Sequence, residues 1–165
     1  MGNEQSQVAG EYTEPEELPG GTREVRLTVY KLPFFGAGAV GGYHSGVVLD
    51  GREWSFGGGD GPGTGVYSCT PERNECYTFK QRVVMGTTTA SDAELSTVLQ
   101  RLAAEWPRGS YKLLERNCNH FSSHLLKELV GRPAPAFVNQ LAEGLVVGPI
   151  KAQSRSRSPP FRCAP

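Results

Sequence analysis

Residues 43–56 read YHSGVVLDGREWSF, and this stretch decides the fold. Two runs of residues that favour β-strands, 43–49 and 52–56, flank the pair Asp50-Gly51. Asp-Gly is typical of the type I′ turn of a tight β-hairpin, in which both central residues take positive φ. The sequence therefore predicts an antiparallel hairpin that turns at Asp50 and Gly51.

Further strands are predicted on both sides of this hairpin. The segment VRLTVY at 25–30 alternates apolar and polar residues and is rich in β-branched side chains, which is typical of a half-buried strand. A glycine-rich loop over 31–42 separates it from the hairpin. Shorter strands are predicted at 65–69 and at 77–85, and the second of these should end at Gly86.

Helices with clear end signals follow the strands. Ser91-Asp-Ala-Glu94 forms a capping box, and Pro107 marks the end of the helix that it starts. A second helix is predicted over 118–130, with Gly131 as its C-terminal cap, and a weaker third helix over 137–146. The apolar face of the first helix is formed by Leu95, Val98, Leu99, Leu102 and Trp106. We therefore expect an α+β fold in which an antiparallel sheet packs against helices.

The composition fits one folded domain with a tail at each end. The 165 residues carry no net charge, which argues against binding nucleic acid through a basic surface. Residues 1–24 are acidic and rich in Glu, Pro and Gly, whereas residues 151–165 are basic and contain an Arg-Ser and Pro segment. We expect a flexible N-terminal arm over 1–24, a folded domain over 25–150 and a flexible tail over 151–165.

Targeting and metal-binding signals are sparse. No apolar run approaches the roughly 18 residues of a membrane span, the first residues lack a secretory signal, and the four cysteines show no zinc-binding spacing. We expect a cytoplasmic or nuclear protein with reduced thiols and with no metal or cofactor. The start MGNEQS matches the N-myristoylation pattern, so acylation of Gly2 and weak, reversible membrane association are also predicted.

Cys118 is the residue most suited to chemistry. Asn117 is a good N-cap, so the thiol would lie at a helix N-terminus, where the helix dipole and unpaired N–H groups lower its pKa. A nucleophilic thiol also needs a base. His120 lies about 200° around the same helix and His124 nearly two turns below, so neither should face the thiol. His44, on the first hairpin strand, is left as the candidate base.

Four motifs in this order resemble the PPPDE family, the desumoylating isopeptidases. They are Tyr43-His-Ser-Gly46, Gly51-Arg-Glu-Trp-Ser-Phe-Gly-Gly58, Arg116-Asn-Cys-Asn-His-Phe-Ser122 and Pro135-Ala-Phe-Val-Asn-Gln-Leu-Ala142. The resemblance covers about residues 25–142. It implies a papain-like thiol peptidase fold in permuted order, with histidine before cysteine, and a catalytic dyad at His44 and Cys118. It also implies cleavage of the isopeptide bonds that join SUMO or ubiquitin to lysines.

The catalytic site needs oxyanion donors and a channel for the substrate. The backbone N–H of Cys118 has no partner within the predicted helix and is the first candidate donor. The second donor is left open among Asn117, Asn119 and Tyr43. Glycines let a substrate backbone approach closely, so the loop containing Gly57, Gly58 and Gly59 is a candidate channel for the Gly-Gly tail of a modifier, although it could equally be a simple connection.

Three functions remain open on the sequence. The first is a cysteine isopeptidase that acts on SUMO or ubiquitin conjugates, in which His44 holds Cys118 as a thiolate. The second keeps the dyad but hydrolyses a protein S-acyl thioester such as a palmitoyl group. The third is a modifier-binding module without significant catalysis. No motif marks the surface that would distinguish SUMO from ubiquitin, and none bears on the oligomeric state.

Overall fold

The structure, a computed structural model, describes residues 21–32 and 42–140. Its strands are β1 (Arg23–Lys31), β2 (Tyr43–Leu49), β3 (Arg52–Phe56), β4 (Val66–Cys69) and β5 (Thr78–Thr88). They form one antiparallel sheet in the order β4-β3-β2-β1-β5. Two helices, α1 (Asp92–Glu105) and α2 (Cys118–Val130), and short 3₁₀ turns at Arg108–Ser110 and Ala136–Asn139 complete the described part. The α+β prediction is confirmed.

The hairpin forms as its turn residues predict. Asp50 and Gly51 have φ of 49° and 71°, the positive values that a type I′ turn requires. Leu49 pairs with Arg52 directly across the turn, and Val47 pairs with Trp54 further along. The turn chemistry therefore fixes the register of β2 against β3.

Helices α1 and α2 have the caps that their sequences indicate. The side chain of Ser91 accepts a hydrogen bond from the backbone of Glu94, and the Glu94 carboxylate accepts one from the Ser91 backbone, which completes the capping box of α1. Helix α2 begins at Cys118 and ends at Val130, and Gly131, with a φ of 72°, provides the left-handed C-cap.

Some predicted boundaries are wrong. β5 does not end at Gly86 but continues to Thr88, because Gly86 adopts a φ of 133° and absorbs a bulge opposite the step from Val25 to Arg26. β1 begins at Arg23, inside the predicted arm. The predicted third helix starts as a 3₁₀ turn; its residues 141–146, like most of the loop over 31–42, lie outside the described residues.

The two faces of the sheet have different roles. Val25, Leu27 and Val29 of β1 pack with Val47 and Phe56 in the hydrophobic core. Helix α2 covers this face with Phe121, Leu125, Leu126 and Leu129. Because side chains alternate along a strand, neighbouring residues of β2 point to opposite faces.

The opposite face near the middle of the sheet carries buried polar groups. Glu53 is fully buried, and its Oε2 accepts hydrogen bonds from the Tyr30 hydroxyl at 2.7 Å and from the backbone N–H of Glu72 at 3.2 Å. Burial raises the pKa of this carboxyl.

No helix within the described residues has the length and hydrophobicity of a bilayer span.

Candidate active site

The N-terminus of α2 places Cys118 against strand β2. The Asn117 side chain accepts hydrogen bonds from the backbone N–H groups of Asn119 at 2.9 Å and His120 at 3.0 Å, so the helix begins at the cysteine. The backbone N–H of Ser45 reaches the Cys118 sulfur. The thiol therefore lies beside the backbone of the residue that follows His44.

Buried polar contacts hold the helix on the strand. Ser45 Oγ lies 2.7 Å from Asn119 Oδ1 and 3.0 Å from Ser122 Oγ. The Asn119 amide Nδ2 donates to the carbonyl oxygens of Tyr43 at 3.0 Å and Val138 at 2.7 Å. These bonds connect β2, α2 and the 3₁₀ turn after α2, so the position of Cys118 relative to the strand is tightly fixed.

The sulfur of Cys118 lies among hydrogen-bond donors but is itself buried. Backbone groups of Ser45, Asn119 and Cys118 and the side chain of Tyr111 all favour the thiolate, yet burial dominates and raises the pKa of Cys118 to about 11. The expectation that the helix N-terminus lowers this pKa is therefore wrong. Desolvation of the thiolate outweighs these hydrogen-bond donors, which include backbone N–H groups at the helix N-terminus.

The imidazole of His44 is also buried. Desolvation lowers the pKa of His44 to about 3, so the ring is neutral at physiological pH. Its Nε2 lies 3.1 Å from the Tyr67 hydroxyl and 3.3 Å from Ser55 Oγ. The ring stacks on Tyr77 with centroids 4.5 Å apart. Because both groups are neutral, the resting site is a thiol with an imidazole rather than a thiolate with an imidazolium.

The other two histidines have other partners. His120 Nδ1 accepts a hydrogen bond from the backbone N–H of Asn117 at 3.3 Å, and its Nε2 lies 3.3 Å from the Asn139 amide. His124 lies 3.7 Å from Glu128 and contacts the Trp106 ring. The helical spacing that argued against both as bases is consistent with these positions.

The amide side chains proposed as oxyanion donors hold the structure together instead. Asn117 Nδ2 donates to the Leu113 carbonyl at 2.8 Å and to Asn139 Oδ1 at 3.2 Å. Asn119 uses its Nδ2 on two backbone carbonyls and turns its Oδ1, an acceptor, toward the thiol at 3.8 Å. Neither amide presents a spare N–H to a substrate at the sulfur.

Tyr43, the third candidate oxyanion donor, and Tyr111 have different hydrogen-bond partners. The Tyr43 hydroxyl accepts a hydrogen bond from Lys80 at 2.7 Å, and the Lys80 ammonium also lies over the Tyr43 ring. By contrast, the Tyr111 side chain hydrogen-bonds to Cys118. Sequence reasoning missed Tyr111 because no motif or spacing connects it to the cysteine. It joins the Cys118 backbone N–H as a group at the sulfur that could stabilise an oxyanion.

A cavity of about 220 Å³ has Tyr67, whose hydroxyl contacts His44, in its lining. It is lined by Gly57, Gly58, Thr64, Gly65, Val66, Tyr67 and Arg108. The structure thus places Gly57 and Gly58 on the cavity, whereas Gly59 is not among the lining residues. A Cβ on Gly58 would lie 2.8 Å from Tyr111 Cβ, so glycine is required for close packing there. Tyr67, which lines the cavity, contacts His44, and Tyr111, which packs against Gly58, contacts Cys118.

The raised pKa of Cys118 predicts how the free protein reacts with iodoacetamide. The alkylation rate at Cys118 should rise about tenfold per pH unit between about pH 7 and pH 10, because the reactive thiolate is the minor form until the pKa near 11. Peptide mass spectrometry separates this site from the exposed Cys76, which serves as the internal control. A rate that is constant from about pH 6 to pH 9 would instead indicate a preformed thiolate.

Comparison with known proteins identifies relatives of this architecture. The PPPDE putative peptidase domain matches residues 19–153. The chain is 35% identical over 126 residues to the Caenorhabditis elegans protein named desumoylating isopeptidase 1 homolog, covering 72% of this chain and 38% of that protein. It is 38% identical over 105 residues to the Schizosaccharomyces pombe DeSI-like protein sdu1, covering 62% and 52%.

A more distant relative matches over more of its length. Human desumoylating isopeptidase 1 is 28% identical over 137 residues, covering 76% of this chain and 79% of that protein. Against the nematode and yeast relatives, in contrast, the chain spans about half of their length or less.

Proposed function

Because the chain belongs to the PPPDE peptidase family, we propose that it is a cysteine isopeptidase that removes SUMO from lysine side chains, with Cys118 as nucleophile and His44 as base. One observation carries the proposal. The thiol lies at the start of α2, beside the backbone that follows His44 and in contact with the donors of Ser45 and Tyr111. SUMO is favoured as the modifier because relatives bear the name desumoylating isopeptidase.

The neutral resting state determines the order of proton transfers. His44 takes the proton of Cys118 as the sulfur attacks the isopeptide carbonyl carbon, so the thiolate never has to persist in its buried site. The tetrahedral oxyanion is stabilised by the Cys118 backbone N–H and the Tyr111 hydroxyl. The imidazolium then gives its proton to the lysine amine as the C–N bond breaks. Water, deprotonated by His44, hydrolyses the thioester and restores the thiol.

The cavity lined by Gly57, Gly58 and Tyr67 is the proposed site for the glycine tail of a modifier. Gly57 and Gly58 provide a wall without side chains, and a peptide backbone needs such a wall to approach closely. Tyr67 and Tyr111 connect this wall to His44 and Cys118. We place the glycine pair of the modifier in this cavity, with its carbonyl carbon directed toward the sulfur.

The proposal is tested with SUMO and ubiquitin that carry a thiol-reactive group at the C-terminus. We expect intact mass to show a SUMO adduct on Cys118, and no adduct on a Cys118→Ala variant. Labelling by the ubiquitin probe alone would mean that the modifier is ubiquitin rather than SUMO. If neither probe labels the folded protein while a small thioester is hydrolysed through Cys118, the isopeptidase proposal fails in favour of a thioesterase. Absence of both reactions would favour a binding module.

A further inference from the structure

Two hydroxyl groups lie within hydrogen-bond distance of the same nitrogen of His44. Nε2 lies 3.3 Å from Ser55 Oγ and 3.1 Å from the Tyr67 hydroxyl. Ser55 lies on β3 and Tyr67 on β4, neighbouring strands on which the two residues pair directly. Ser55 and His44 are both buried, so neither can exchange these contacts for water without a rearrangement of the sheet. The protonation of Nε2 is therefore decided by these oxygens.

The hydroxyl hydrogen of Ser55 is donated to the Ser45 carbonyl oxygen. Ser55 Oγ lies 2.7 Å from the carbonyl oxygen of Ser45, a group that accepts hydrogen bonds and has no proton to give. A hydroxyl carries one hydrogen, and at this distance it must lie between the two oxygens, because otherwise their lone pairs would face each other. Ser55 Oγ consequently offers only a lone pair to Nε2, and this arrangement requires a proton on Nε2.

Tyr67 does not reverse this conclusion. If Nε2 were unprotonated, Tyr67 could donate to it, but the lone pairs of Ser55 Oγ and Nε2 would then oppose each other at 3.3 Å in a buried site. With a proton on Nε2, both hydroxyl oxygens can accept from it. The protonated form satisfies both contacts, whereas the alternative satisfies one of them.

We infer that Ser55 is a positioning residue that holds neutral His44 as the Nε2–H tautomer and so leaves the lone pair of Nδ1 to accept the Cys118 proton. The catalytic role rests on the proposed dyad, whereas the tautomer itself is a property of the free protein. The arrangement assigns to a serine hydroxyl the orienting role that an acidic or amide side chain has in a catalytic triad. It explains how the described site can orient its base without an acid partner on the ring.

The tautomer is measured directly by ¹⁵N NMR of the imidazole in the full chain at neutral pH, without substrate. His44 signals are those that disappear in His44→Gln. We expect the wild-type protein to show a protonated Nε2 and an unprotonated Nδ1. The opposite tautomer would overturn the inference, whatever the protein's substrate turns out to be.

Variants separate the contribution of Ser55 from that of Tyr67. Ser55→Ala removes the acceptor and should shift His44 toward the other tautomer, in which Tyr67 donates to Nε2. Tyr67→Phe removes that donor and should leave the Nε2–H tautomer in place. Ser55→Thr restores a hydroxyl and should restore the wild-type spectrum. A Ser55→Ala protein that is folded and keeps the wild-type tautomer would also contradict the inference.

Turnover provides the second readout. Ser55→Ala should lower kcat at least about tenfold with little change in KM, because His44 would be in the wrong tautomer to act as base while the substrate contacts remain. Ser55→Thr should recover most of this loss. If turnover is absent even in the wild-type protein, the proposed function fails, and the NMR result still decides the role of Ser55 in the tautomer.

Discussion

Cys118→Ala should lower the proposed isopeptidase turnover by at least about 10⁴-fold while leaving the protein folded. The reason is that the other thiols of the described chain lie away from α2, on β4 and in the segment that follows it. The side chain is buried, but replacing its CH2–SH group by a methyl group removes a single heavy atom, so the free energy of unfolding should fall by about 1 kcal/mol or less. The measurement is turnover of a SUMO conjugate, with the melting temperature recorded alongside.

Cys76→Ala is the matched control for this variant. Cys76 is exposed, and its contact with Asn74 uses the backbone N–H, which alanine retains. We expect wild-type turnover and stability from it. If Cys118→Ala retained turnover that Cys76→Ala lost, the nucleophile would be misassigned. If both variants matched the wild type, neither Cys118 nor Cys76 would be the nucleophile.

Local signals in the sequence were sufficient to predict the frame of the site. Asp50-Gly51 determines its own turn through backbone conformation, and the hairpin that follows places His44 on a strand. Asn117 and Gly131 likewise determine both ends of α2 and so place Cys118 at its first residue. These features could be predicted because each depends on residues close together in the chain.

The partners of the two catalytic candidates could not be predicted in this way. Ser55, Tyr67 and Tyr111 reach His44 or Cys118 only through the strand pairing and the packing of the segment before α2. No spacing in the sequence connects them to the dyad. The predicted lowering of the Cys118 pKa was wrong for a related reason. The helix N-terminus can be predicted from the sequence, whereas the burial that raises the pKa depends on the whole fold.

Glu53 illustrates the same limit within the hairpin. Its charge suggests an exposed strand position, yet it is fully buried against Tyr30 and accepts a hydrogen bond from the Glu72 backbone. A Cβ on Gly46 would lie 2.5 Å from this side chain, which explains a glycine two residues after His44. The buried carboxyl and the missing side chain are one packing solution that spans three strands and a loop.

Gly65→Ala should be the most destabilising of the glycine substitutions at this site. A Cβ on Gly65 would lie 2.4 Å from the carbonyl oxygen of Gly57 and 2.5 Å from the Phe56 ring. The Gly57 N–H donates a hydrogen bond to the Gly65 carbonyl oxygen, and the Gly65 N–H donates one to the Trp106 carbonyl oxygen. The backbone therefore has little freedom to move away from a new Cβ. We expect the free energy of unfolding to fall by about 3 kcal/mol, and the melting temperature to fall by roughly 10 °C.

Gly109→Ala is the control, because a Cβ there would meet no atom within 4 Å and its backbone does not require positive φ. Its melting temperature should stay within about 2 °C of the wild type. The loss in Gly65→Ala should extend to activity, because Gly65 lines the cavity beside Tyr67 and directly precedes β4. Were Gly65→Ala as stable as Gly109→Ala, the loop between β3 and β4 would not close against Phe56, and the cavity assigned to the modifier tail would lose its wall.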